Sequence, residues 1–253
     1  MQSHAVTAVS LVQALNNGEF EPYIQPVVRS SDLSVSGGEL LVRWHKPTGE
    51  IILPTCFIER IDSAGLLLGL TQKILCQTVN SLADIKNALP PKFRLAVNIT
   101  PAMLADAGFT QMCLELAGVN NIRLVLELTE QHPFGMNRQM GLVLDKLSAG
   151  GVEFALDDFG TGCSVLAYLK YFPVSYIKID KSFIQGLPNE DASFHIIECV
   201  VNLAQKLQVS TVTEGVEIFE QAKCLNCLGV DYLQGFYFGK PKMLKNFISA
   251  VMQ

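Results

Sequence analysis

From Pro90 onward, short runs rich in β-branched and apolar residues alternate with longer stretches of helical period, the pattern of βα units feeding a parallel sheet. Strands are expected over Phe93–Asn98, Arg123–Glu127, Glu153–Asp157, Ser175–Ile179, Ser210–Glu214 and Asp231–Gln234. Helices are expected over Pro101–Ala117, Met136–Ala149, Ser164–Lys170, Ala192–Leu207 and Ile218–Leu228, with Gly150 and Gly151 stopping the second. The first third reads differently. Pro22–Val28 and Leu33–Trp44 are close enough to pair as an antiparallel hairpin, and a helix broken near Gly65 follows over Pro54–Ile85. Ala5–Leu15 is apolar but lacks a preceding Lys or Arg and a cleavage pattern, so it reads as an N-terminal helix and not a signal peptide. Eight or nine strands with interleaved helices, and no strong GxGxxG after the first, predict the α/β class and a modified TIM-like (β/α)8 barrel with an antiparallel first strand.

In such a barrel, polar residues at strand C-termini converge on one face. Glu39, Asn98, Glu127, Asp157, Asp158, Lys178, Glu214 and Gln234 all stand at or near strand ends. The adjacent aspartates Asp157 and Asp158 follow an apolar run, where they are costly to bury unless a cation compensates them. Glu39, Asn98, Glu127, Asp157 and Asp158 form an all-oxygen set suited to Mg²⁺ or Mn²⁺ more than to zinc. The four histidines, His4, His45, His132 and His195, do not recur at ligand spacing. Alternation places Glu39, Leu41 and Arg43 on one strand face, and Tyr176, Lys178 and Asp180 together on another. Lys178 is a candidate to orient or deprotonate water, and Glu214 to ligate a second metal or act as general base.

Composition narrows the reading. A length of 253 residues, 49% of them hydrophobic and 17% charged, suits one large domain over residues 1–253, with 1–19 an N-terminal helix or linker. A net charge of −5 argues against a duplex nucleic-acid partner. Seven irregularly spaced cysteines fit a reducing cytoplasm, and the Cys224–Cys227 pair supplies only half a structural zinc site. No apolar run reaches the length of a membrane span.

The motifs Glu39-Leu40-Leu41, Val97-Asn98-Ile99-Thr100, Glu127-Leu128-Thr129-Glu130, Asp157 to Gly162, Lys178-Ile179-Asp180, Glu214-Gly215-Val216-Glu217 and Gln234-Gly235 stand in order between about Gln25 and Pro241. With them the chain closely resembles the EAL domain family of cyclic di-GMP phosphodiesterases. The resemblance implies hydrolysis of this bacterial second messenger to linear pGpG at a two-metal site holding Mg²⁺ or Mn²⁺, with Ca²⁺ expected to inhibit. It implies that Glu39, Asn98, Glu127 and Asp157 are metal ligands, and that Asp158 and Glu214 serve the second metal or its water. Lys178 would contact the nucleophilic water. Gln25 and Arg43 would hold substrate phosphate and its surroundings, with Gln234 supporting the site. Glu130 would anchor the loop after the aspartate pair, and Asp180 and Glu217 would support the site from outside it.

A homodimer is implied as well, and a sensory or membrane-tethering domain outside this chain is an expected partner of a unit facing the cytoplasm. Three positions depart from the family. Leu40 replaces the usual alanine, facing away from Glu39; Cys163-Ser164-Val165-Leu166 replaces Tyr-Ser-Ser-Leu; and Thr213 replaces a common alanine. The competing expectation is a catalytically weak cyclic di-GMP receptor or protein-interaction module. Every expected position is filled, Glu130 included, which favours the enzyme.

Overall fold

A computed structural model of the chain describes residues 7–119, 121–129, 138–160, 169 and 172–252. Helix α1 (Ala8–Asn17) precedes the long hairpin β1 (Phe20–Arg29) and β2 (Val35–His45), whose last two residues pair with a short β3 (Ile51–Ile52). The helical stretch expected to break near Gly65 does so: α2 (Ile58–Ser63) and α3 (Leu67–Ala83) flank Gly65 at φ 69°. The βα alternation then runs β4 (Phe93–Ile99), α4 (Pro101–Leu104), α5 (Ala107–Ala117), β5 (Ile122–Thr129), α6 (Arg138–Ala149), β6 (Glu153–Phe159) and β7 (Tyr176–Ile179). It ends with α7 (Asp191–Leu207), β8 (Ser210–Thr213), α8 (Phe219–Cys227), β9 (Tyr232–Gln234), β10 (Lys242–Met243) and α9 (Leu244–Val251).

Strands β2, β4, β5, β6, β7, β8 and β9 lie side by side and parallel. Strand β1 closes them into an eight-stranded barrel by pairing antiparallel with β2 on one side and β9 on the other. The expected barrel with an antiparallel first strand is therefore the fold observed. Outward-facing residues of the strands pack under the helices in a large core that includes Leu40, Trp44, Leu95, Val97, Leu124, Leu126 and Phe154. Leu40, as expected, belongs to that outer layer.

Some elements differ from their sequence reading. The helix expected over Pro101–Ala117 is two, because the Asp106 carboxylate accepts the Phe109 N–H at 2.7 Å and caps a second helix. Strands β3 and β10 are two residues each, too short for a period to register. The helix expected over Ser164–Lys170 and the loop from Cys163 to Leu166 lie, apart from Leu169, outside the described residues. Among the described residues no helix is long and apolar enough to cross a membrane.

Candidate active site

Side chains of a strand alternate between faces, so residues two apart look the same way. Inside the barrel a small apolar layer is formed by Ala96, Val125, Ala155, Tyr176 and Val212, joined by Tyr232. Two residues further along the same strands stand Asn98, Glu127, Asp157, Lys178, Glu214 and Gln234. Six strands thus each deliver one polar group to a single level of the barrel mouth. β2 adds Glu39 to it, because Glu39 pairs with Ala96 across β4 and with Gln25 across β1.

Lys178 is the centre of this level. Its Nζ lies 2.6 Å from Glu214, 2.9 Å from Glu127, 3.1 Å from Asp157 and 4.0 Å from Glu39, with the lysine side chain 2% exposed. Burial alone would drive the ammonium toward neutrality, but the charges of Asp157, Glu127, Glu214 and Glu39 outweigh it and hold its pKa well above the usual lysine value. Burial acts on the carboxylates in the opposite sense. It raises Glu127 well above the ordinary range against the pull of Lys178, and it pushes Glu214 up to about 7.

Glu39 is held from two sides by amides. Asn98 Nδ2 donates to Glu39 Oε1 at 2.7 Å and Gln234 Nε2 donates to Oε2 at 2.7 Å. Gln234 also reaches Gln25 Oε1 at 3.3 Å, and Gln25 Nε2 donates to the Gly239 carbonyl at 3.2 Å. Gln25 and Gln234 are both buried, Gln234 bonding Glu39 directly and Gln25 bracing Gln234. Gly235, next to Gln234, is required by packing: a Cβ there would stand 2.0 Å from the Val216 carbonyl oxygen.

The aspartate pair owes its geometry to an irregularity. The register between β6 and β7 shifts between Leu156 and Phe159, and Asp158 takes a left-handed φ of 55°. The extra residue lets Leu156 and Phe159 both pack outward while Asp157 faces Lys178. Asp158 borders the cluster: burial raises its carboxyl pKa, and the charges of Asp157 and Asp180 raise it further. Asp180 accepts the Ser182 N–H at 2.9 Å and caps the short 3-10 turn Lys181–Phe183; it makes no ion pair with Lys178. Glu217 is exposed outside the cluster, and Glu130 lies outside the described residues.

The donor set suits a hard divalent cation: carboxylates of Glu39, Glu127, Asp157 and Glu214, and the amide oxygen Asn98 keeps free while its nitrogen serves Glu39. Among the described residues no group of three His, Cys, Asp or Glu side chains is placed to hold a metal ion. The oxygens suit a divalent cation in kind, and Glu39, Glu127, Asp157 and Glu214 here surround Lys178.

Beside the cluster, between β2, β4 and helices α2 and α3, an apolar cavity of about 360 Å³ is lined by residues including Leu41, Pro54, Ile58, Leu70 and Met103, with Glu59, Asp62, Thr71, Asn98 and Thr100 among its polar groups. On the antiparallel hairpin, the Arg43 guanidinium lies 5.5 Å from the Tyr23 ring centroid and Tyr23 Oη is 3.0 Å from His45 Nε2. Sequence reasoning found Arg43 but neither aromatic partner. Only the hairpin register, which sets Tyr23 opposite Leu41, shows them.

The family model of the EAL domain matches residues 8–241. The chain belongs to the EAL domain family. Among its relatives, the cyclic di-GMP phosphodiesterase PdeL of Escherichia coli K12 is 41% identical over 249 residues, covering 97% of this chain and 69% of that protein. The probable cyclic di-GMP phosphodiesterase PdeG of the same organism is 36% identical over 245 residues, covering 96% of this chain and 48% of that protein. The chain therefore spans about two thirds of the first relative and about half of the second. Of solved EAL structures, the PaMucR phosphodiesterase in complex with c-di-GMP superposes with a TM-score of 0.84 at 31% identity, covering 94% of this chain and 98% of that one. The EAL enzyme Bd1971, bound to cAMP and cyclic di-GMP, gives 0.87 at 28%, covering 96% and 68%. EAL phosphodiesterases are metal-dependent, which agrees with the oxygen-rich cluster at this EAL barrel mouth.

Proposed function

We propose that the chain is a phosphodiesterase that hydrolyses one phosphodiester bond of cyclic di-GMP to linear pGpG. The observation that carries the reading is the convergence of Glu39, Glu127, Asp157 and Glu214 on Lys178, with Asn98 bonded to Glu39, at one level of the barrel mouth. The naming of PdeL and PdeG, and the cyclic di-GMP held by the MucR structure, support the choice of substrate.

Glu39, Asn98, Glu127 and Asp157 would hold one Mg²⁺ or Mn²⁺, and Asp158 and Glu214 a second. When bound, such cations neutralise charge at the scissile phosphate and acidify water. Glu214 accepts the proton of the attacking water, and Lys178, 2.6 Å from it, orients that water and stabilises the ionised carboxylate. Gln234 and Gln25 keep Glu39 in place. Arg43 on the rim meets phosphate or base. The apolar cavity takes a guanine, whose N–H edge finds acceptors in Glu59 and Asp62. Residues 1–253 act here as one catalytic unit and as a homodimer on the cytoplasmic side, with any sensory or membrane segment outside this chain.

The test is chromatographic detection of pGpG from cyclic di-GMP with added Mg²⁺, beside the Glu39→Ala variant and an EDTA control. Product in the wild type alone, with Glu39→Ala still folded by circular dichroism, is expected. Full turnover in EDTA overturns the metal mechanism. Tight cyclic di-GMP binding without product makes the chain a receptor.

A further inference from the structure

We infer that Tyr23, tied to His45, is a positioning residue that sets the Arg43 guanidinium for substrate binding. The inference rests on the phosphodiesterase reading and concerns residues outside the carboxylate cluster.

The hairpin register pairs Gln25 with Glu39, Tyr23 with Leu41 and Glu21 with Arg43. Period-two alternation therefore puts Gln25, Tyr23, Glu39, Leu41 and Arg43 on one face, a continuous wall rising from the buried cluster to the rim. At about 3.3 Å per residue, Arg43 stands roughly 13 Å along the strand from Glu39, a distance suited to a far phosphate or a base of a dinucleotide whose reacting phosphate lies at the cluster.

Arg43 makes no ion pair among the described residues, and its one hydrogen bond there runs from Nη1 to the Val42 carbonyl at 2.8 Å. A guanidinium carries five N–H donors, so most of them remain available to a ligand. A long side chain with that much rotameric freedom loses entropy on binding unless something holds it beforehand. The face of Tyr23 does so, 5.5 Å from the guanidinium carbon. His45 in turn fixes the ring: Tyr23 Oη and His45 Nε2 are 3.0 Å apart, with ring centroids 5.8 Å apart. On the other edge of β1, Tyr23 pairs with Met243 of β10, so the ring sits on a strand braced from both sides.

The experiment measures KM and kcat for cyclic di-GMP in Mg²⁺ for wild type, Tyr23→Leu, Tyr23→Phe, His45→Gln, Arg43→Ala and Arg43→Ala/Tyr23→Leu, with melting temperature as a fold check. Tyr23→Leu should raise KM about 5- to 10-fold with kcat within about twofold, the size of a partly desolvated cation–π contact. Tyr23→Phe keeps the ring and loses only the tie to His45. It and His45→Gln should each raise KM about two- to threefold. In the Arg43→Ala background, Tyr23→Leu should add nothing, because its effect passes through Arg43. Unchanged KM in Tyr23→Leu, a fall confined to kcat, or an undiminished Tyr23→Leu effect without Arg43 overturns the inference. Should Tyr23→Leu not fold, Tyr23→Phe and His45→Gln decide it by the same split. A wild type that neither binds nor hydrolyses cyclic di-GMP overturns the phosphodiesterase reading itself, an outcome distinct from unchanged KM in an active enzyme.

Discussion

Replacing Lys178 with methionine removes the one cation found among the cluster's carboxylates while keeping most of the side-chain volume. Three oxygens stand within 3.1 Å of the ammonium. At an effective dielectric near 20, each such contact is worth roughly 5 kcal/mol of gross attraction, largely offset by desolvation of the buried charges. Breaking a buried ion pair from one side costs about 3–5 kcal/mol net. Protonation of Glu214 and Glu127, whose pKa values burial already raises, limits the loss at lower pH, so the experiment belongs at about pH 8. For a domain of this size, 1 kcal/mol moves Tm by about 2–4 °C, so Lys178→Met in EDTA should melt about 10 °C below the wild type. Saturating Mg²⁺ should recover more of that loss in the variant than it adds to the wild type, since a cation replaces the missing charge. Differential scanning fluorimetry in EDTA and in Mg²⁺ measures both. A Tm in EDTA within about 2 °C of wild type would refute the claim that the ammonium holds the metal-free cluster together.

Thr213 is fully buried with its hydroxyl unpartnered, so Thr213→Val should stabilise the protein by about 1 kcal/mol in chemical denaturation; a destabilised variant would mean the hydroxyl has a partner after all. Burial pushes the Glu214 carboxyl up to about 7 in the folded protein, from an ordinary 4.5. Its contribution to metal-free stability is therefore complete below about 4.5 and lost as pH rises through 7. In EDTA, Tm should fall between about pH 5.5 and pH 8 by more in the wild type than in Glu214→Gln, and equal slopes would remove Glu214 as the source. Ca²⁺, larger and tolerant of irregular coordination, should support cyclic di-GMP binding but not turnover. Product formation in Ca²⁺ at the Mg²⁺ rate contradicts this.

The barrel was legible because its strands are short apolar runs at regular spacing, and the polar level because its members stand at or near the ends of those runs. Most of the rest lay beyond local pattern. Nothing in Leu156-Asp157-Asp158-Phe159 announces a bulge, since it exists only where β6 meets β7. The split between α4 and α5 had a local signal in Asp106, a capping residue inside an apolar helical pattern. Lys178 read as a helper of water; its place among four carboxylates needed the strand order. Tyr23 and His45 are 22 positions apart and meet only through the hairpin register.

Strand β1 is the only strand antiparallel to both its barrel neighbours, and its pairings with β2 and β9 join the two ends of the chain: Gln25 meets Gln234 across 209 positions. The Gln234 half of the clamp on Glu39 thus exists only in a closed ring, while Asn98 reaches Glu39 across the β2–β4 pairing. A chain that has formed every βα unit but not docked β1 lacks the Gln25–Gln234 link and the strand that brings Gln234 to Glu39. The Glu39 carboxylate is consequently aimed in full only once the ring has closed.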